Sequence, residues 1–101
     1  MIGMYQITYR EIASEEYADA IKWYEDRSRA AAEGFIKAID NRLDSISSNP
    51  RKYKNLFRNY HEVSTNRYPF TIVYFIEEKI QRVVIVAVYH HKRSPRKKYR
   101  K

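Results

Sequence analysis

A chain of 101 residues with 44% hydrophobic content and two glycines suits one compact domain, spanning 1–101, with a single modest core. It has no cysteine, which excludes disulfides, thiolate metal sites and cysteine nucleophiles, and no apolar run approaches the ~20 residues of a membrane span. The net charge of +8 is concentrated: residues 92–101 hold seven Lys/Arg and no acid, a basic tail on a nearly neutral body, suited to phosphates or an acidic protein.

In chain order, "MYQITY" alternates, with Tyr5, Ile7 and Tyr9 on one face, the period of a half-buried strand. Ser14, followed by Glu15 and Glu16, has the character of a helix N-cap with an acidic first turn, and Tyr17, Ile21 and Tyr24 continue at helical spacing to about Arg27. After a polar break around Ser28, Phe35, Ile39, Leu43 and Ile46 form a second stripe, closed by "SSNP" at Pro50. So short a break predicts a helical hairpin with both stripes turned to one surface. Gly34 reads as room for close packing or for the turn.

Three β-branched and aromatic segments follow, Tyr60 to Tyr68, Phe70 to Ile76 and Arg82 to Tyr89, predicted as consecutive antiparallel strands broken at Pro69. "EEKI" lacks the glycine of a tight primed turn, so a longer loop is expected between the last two. The fold class is therefore α+β, ordered β-α-α-β-β-β, a helical hairpin packed on one face of a mainly antiparallel four-stranded sheet. Strict alternation groups Val84, Val86 and Val88 on one face with Val73 and Phe75. With no third layer to cover them, these five are expected to meet a protein partner.

The chemistry is narrowed by what the sequence lacks. Two glycines leave no phosphate-cradling loop and no nucleophile elbow, and adjacent His90 and His91 point to opposite faces, so no metal and no cofactor is expected. A cluster remains at the end of the last strand: His90, His91, Lys92, Arg93, Arg96 and Tyr99. Metal-free RNA cleavage needs a base, an acid and cations for the pentavalent phosphorus, roles open to histidine, tyrosine and arginine.

The opening "YQITY", the hairpin ending in "SNP", the pair "RYPFTIVYFI" and the closing "VVIVAVYHHKRSPRKKY" together resemble the RelE/ParE superfamily, toxins of bacterial type II toxin–antitoxin modules. "YPFTIVY" and the ending His90, Arg93, Pro95 look most like the ParE-related branch. The resemblance implies a cytoplasmic growth-arresting toxin neutralised by an acidic antitoxin, with DNA gyrase as target in the ParE branch and ribosome-bound mRNA in the RelE branch. Under the ribonuclease alternative the catalytic residues are His91, Arg93 and Tyr99; Lys52, Lys54, Arg67, Lys92 and Arg96 are assigned to target or nucleic-acid contact. Three cations of RelE-type ribonucleases are replaced by Glu62, Ser64 and Thr71, which favours the gyrase branch. A basic nucleic-acid-binding module without toxicity is the third reading.

Overall fold

The computed structural model describes residues 4–92. Strand β1 (Gln6–Tyr9) runs directly into helix α1 (Glu11–Glu25), and Ser28 caps helix α2 (Arg29–Ser48) by accepting the Ala31 N–H at 2.9 Å. After a 3-10 turn at Pro50–Lys52 come β2 (Asn55–Phe57), β3 (Tyr60–Ser64), β4 (Phe70–Glu77) and β5 (Arg82–His90). The sheet order is β1-β5-β4-β3-β2. β5, an interior strand, pairs parallel with β1 and antiparallel with β4. The α+β order read from the sequence holds, extended at one edge by β2, whose three residues are too few to show a period.

Two expectations change. The first helix starts at Glu11, and its N-cap is Arg10, with no side-chain cap; Ser14 lies within the first turn, its N–H donating to the Arg10 carbonyl at 3.0 Å. The Arg10 N–H itself bonds to Ile85 O at 2.9 Å, so the sheet fixes the point at which the chain turns into the helix. The segment expected as a strand from Tyr60 to Tyr68 ends as a strand at Ser64, and residues 65–69 form a turn. There Thr65 donates its N–H to Phe70 O, while Arg67 takes the left-handed φ of 75°. The "EEKI" loop is the expected longer connection, a 3-10 turn over Glu78–Ile80 closed by Gln81 at φ 49°.

The helix stripes and one sheet face form the larger core: Ala13, Ala20, Phe35, Ile39 and Ile46 meet Val63, Phe70, Ile72, Tyr74, Val83 and Ile85. Phe35 is its centre, fully buried with Tyr17, Tyr24, Tyr68 and Phe70 at centroid distances of 5.9, 4.9, 5.5 and 5.1 Å. Tilted and edge-on ring contacts of this kind add to the area term of burial. Gly34, one residue earlier, is where α2 meets Tyr68: a Cβ there would collide with the Tyr68 hydroxyl.

Tyr74 stacks on His61 at 5.2 Å and donates its hydroxyl proton to Pro50 O at 2.6 Å, tying the sheet to the end of α2. Burial drives its pKa well above the ordinary phenol value. Tyr74→Phe leaves the Pro50 carbonyl without this donor and is expected to cost ~1–3 kcal/mol, measured as a lower urea midpoint at unchanged m. Gly34→Ala is expected to gain the ~1 kcal/mol of helix propensity only when Tyr68→Phe has removed the colliding oxygen. In a double-mutant cycle by urea denaturation, the two changes should couple favourably; additivity would contradict the contact.

Candidate functional site

The site is laid out by a register shift in β5. From Glu77↔Arg82 to Tyr74↔Ile85 the β4–β5 ladder is regular; the next pair is Val73↔Ala87, leaving Val86 unmatched. This is a β-bulge, one extra residue on one strand. Before it, Val83 and Ile85 face the helices; after it, Val88 does so. Val84, Val86, Ala87 and Tyr89 face the other way. Val88, assigned from alternation to the face of Val84 and Val86, is therefore in the helix-side core. Its N–H donates to Glu16 Oε1 of α1 at 2.9 Å.

The second face is not the open apolar surface expected from the sequence. Val73, Val86 and Ala87 are 0–1% exposed and Val84 is 8% exposed, so of the five residues assigned to a partner only Phe75 keeps appreciable surface. Large rings account for the difference. Tyr60, Tyr89 and Phe75 pack into one cluster with these small side chains, Phe57 stacks on Tyr60 at 6.5 Å, Tyr60 meets Phe75 edge-on at 6.2 Å, and the Arg10 guanidinium lies 5.6 Å from the Phe75 centroid.

Along the end of this face runs a row of polar side chains. Ser64 pairs with Thr71 across β3 and β4, with Ser64 Oγ 3.2 Å from Thr71 Oγ1. Thr71 Oγ1 is in turn 2.9 Å from His91 Nε2, and the His91 N–H donates to Pro69 O at 2.9 Å. Glu62 lies on the same face of β3, opposite Val73. The three positions where the resemblance places ribonuclease cations thus share one face, Thr71 in contact with His91, Ser64 with Thr71 and Glu62 two residues along β3, carrying one carboxylate and two hydroxyls. The imidazole and hydroxyls can relay a proton; none of these three positions carries a lysine or arginine for the charge of a phosphorane.

His90 faces the helices, edge-on to Phe70 at 5.0 Å, and its Nδ1 accepts the Lys92 N–H at 3.0 Å. It lines a cavity of about 350 Å³ together with Glu16, Asp19, Trp23, Tyr24 and Phe70. Trp23 is half exposed and carries the Arg27 guanidinium 3.3 Å from its ring centroid. Among the described residues no group of three or more His, Asp or Glu is arranged to hold a metal ion.

The assigned cations are dispersed. Arg67 and Lys92 are exposed at the His91 end of the sheet. Lys52 is at the other end, where neighbouring Arg51 pairs with Glu78 beyond β4, and Lys54 is bound through its carbonyl to the Glu62 N–H on the β2 edge. Arg93, Arg96 and Tyr99 lie outside the described residues. Sequence reasoning missed Thr71 as the partner of His91, Ser64 as the partner of Thr71, and the role of Glu16. Thr71, a polar residue inside the apolar run "FTIVYFI", was the available signal for the first; for Glu16 there was none, since its acceptor role follows from the bulge.

Comparison with known proteins was consistent across sequence and structure. No curated protein matches the chain by sequence. The chromosomal ParDE toxin–antitoxin system of P. aeruginosa superposes with a TM-score of 0.71 at 10% identity, covering 87% of this chain and 97% of that one. The isolated E. coli RelE toxin does so at 0.62 and 16% identity, covering 90% and 88%. A doubly substituted RelE bound to a RelBc antitoxin peptide gives 0.62 at 14%, covering 89% and 86%. Among the described residues no helix is long and apolar enough to cross a membrane. The family described as the ParE toxin of the type II toxin–antitoxin system, parDE, matches residues 7–95, nearly the whole chain, and the protein belongs to that family.

Proposed function

We propose that this type II toxin arrests growth by inhibiting DNA gyrase in the cytoplasm and is neutralised by an acidic antitoxin. The observation that carries the reading is the row beside His91. In-line attack by a 2′-hydroxyl builds negative charge on phosphorus, and removing one donor aimed at such charge costs ~10²–10³ in rate. Glu62, Ser64 and Thr71 leave all three of those positions without a cation, and Glu62 adds a carboxylate. An inhibitor that works by binding has no such requirement.

The net charge of +8 favours encounter with an acidic antitoxin, through the attraction that raises association rates between opposite fields. Phe75 is the member of the sequence-assigned set with surface to offer it; contact with Val73 or Val86 would require the ring cluster above them to move.

Purified toxin added to gyrase and relaxed plasmid is expected to block supercoiling, and the same preparation should leave mRNA intact in a translating ribosome assay. His91→Ala should preserve gyrase inhibition, whereas loss of a general base costs a ribonuclease ~10²–10⁴. Ribosome-dependent cleavage abolished by His91→Ala, with gyrase unaffected by the unaltered chain, would overturn the proposal in favour of the ribonuclease.

A further inference from the structure

Between α2 and the β3–β4 turn lies an open groove of about 320 Å³ lined by Lys37, Asn41, Arg42, Asn66, Arg67 and Tyr68, with the small residues Gly34 and Ala38 as its floor. Lys37 and Asn41 lie on the α2 face that carries Gly34, the i, i+3, i+7 positions of one stripe. Arg42 is held across the groove, its Nε donating to Ser64 O at 2.9 Å. Arg67 keeps the positive φ of 75°, a conformation that costs a non-glycine residue ~1–2 kcal/mol and sets its exposed side chain at the groove mouth. No acid is among the lining residues. The acids of the same helix, Glu33, Asp40 and Asp44, are not among them; Glu33 and Asp40 stand at i−4 and i+3 from Lys37, at the edge of the groove. Asp40 in particular sits close enough to Tyr17 to add to the burial that pushes the phenol up to about 12.

The turn that carries Arg67 ends at Pro69, whose carbonyl accepts the His91 N–H, next to exposed Lys92. Beyond Lys92 the sequence holds six further Lys/Arg and no acid.

We propose that this groove binds the phosphodiester backbone of duplex DNA, with Lys37, Arg42 and Arg67 on phosphates and Asn41 and Asn66 donating to phosphate or sugar oxygens. Three features select this ligand. Every polar lining side chain is a donor, as backbone contacts require. An acidic peptide would need apolar anchors to offset the entropy of ordering it, and besides Tyr68, whose ring is packed into the core, the lining offers only Ala38 and glycine. Single strands are held by stacking on exposed rings, and the groove's one ring, Tyr68, is packed against Tyr24 and Phe35 at 5.4 and 5.5 Å. The inference stands apart from the gyrase reading, because naked DNA suffices to test it.

The test is fluorescence anisotropy of the full chain with a labelled duplex of arbitrary sequence over a series of salt concentrations. Lys37→Gln combined with Arg67→Gly, a pair that relieves the positive φ, should lower the slope of log K against log salt by ~2, about 0.9 for each phosphate no longer neutralised. Lys22→Gln with Lys79→Gln removes the same charge at exposed positions outside the groove and should leave the slope within ~0.5 of the unaltered chain. In the unaltered chain, duplex should also protect Lys37 from an amine-reactive reagent more than it protects Lys79, a readout independent of how any variant folds. Equal slopes for the two variant pairs would overturn the groove. So would tighter binding of the matching single strand, of an RNA duplex or of a polyglutamate peptide.

Discussion

Because Val86 has no partner in β4, strand β5 changes phase partway along its length, and the arrangement of the functional end of the molecule follows from that change. With an unbroken ladder Val88 would lie on the second face and His91 would turn toward the helices. The extra residue instead puts Val88 and His90 against α1 and brings His91 to Thr71. The Val88 N–H is taken up by Glu16, so α1 is bonded to β5 just past the bulge. A bulge is tolerated where the local kink and the missing ladder pair are offset by such bonds.

The same phase change gives the sheet two cores of different character. On the helix side, aromatic rings surround Phe35 and the tyrosine hydroxyls reach outward to backbone partners such as Pro50 O. On the other side, small aliphatic residues fill the floor and rings from β3, β4 and β5 close over it. This two-layer fold thus buries Val73, Val84, Val86 and Ala87 of its second face in a cluster of its own side chains. Among the described residues the cations of the α2–turn groove lie outside both cores, while Glu62, Ser64 and Thr71 at the end of the second face put no lysine or arginine there. That division is what favours a toxin acting by contact over one acting by phosphoryl chemistry.

The sequence made the element order readable because its periods are long and clean: two helical stripes of four-residue spacing, and three β-branched runs bounded by Pro69 and "EEKI". Gly34 was also legible as a packing contact, since little else explains a glycine inside a stripe. Facing was less legible. Alternation is a reliable guide only while a ladder is unbroken, and Val84, Val86 and Val88 are chemically alike, so nothing in "VVIVAVY" marks where the bulge falls. The basic groove was hidden for a different reason: Lys37, Arg42 and Arg67 come from separate elements, and only the close approach of α2 to the 65–69 turn, permitted by Gly34 against Tyr68, assembles them.

The register of β4 against β5 is the feature to measure, by cross-strand nuclear Overhauser contacts in isotopically labelled protein. The expected result is Tyr74 opposite Ile85 and Val73 opposite Ala87, with the Val86 position unmatched and the His91 ring close to the Thr71 methyl. Contacts that pair Val73 with Val86 and Ile72 with Ala87 would show an unbroken ladder, return Val88 to the second face and separate His91 from the hydroxyl row on which the functional reading depends.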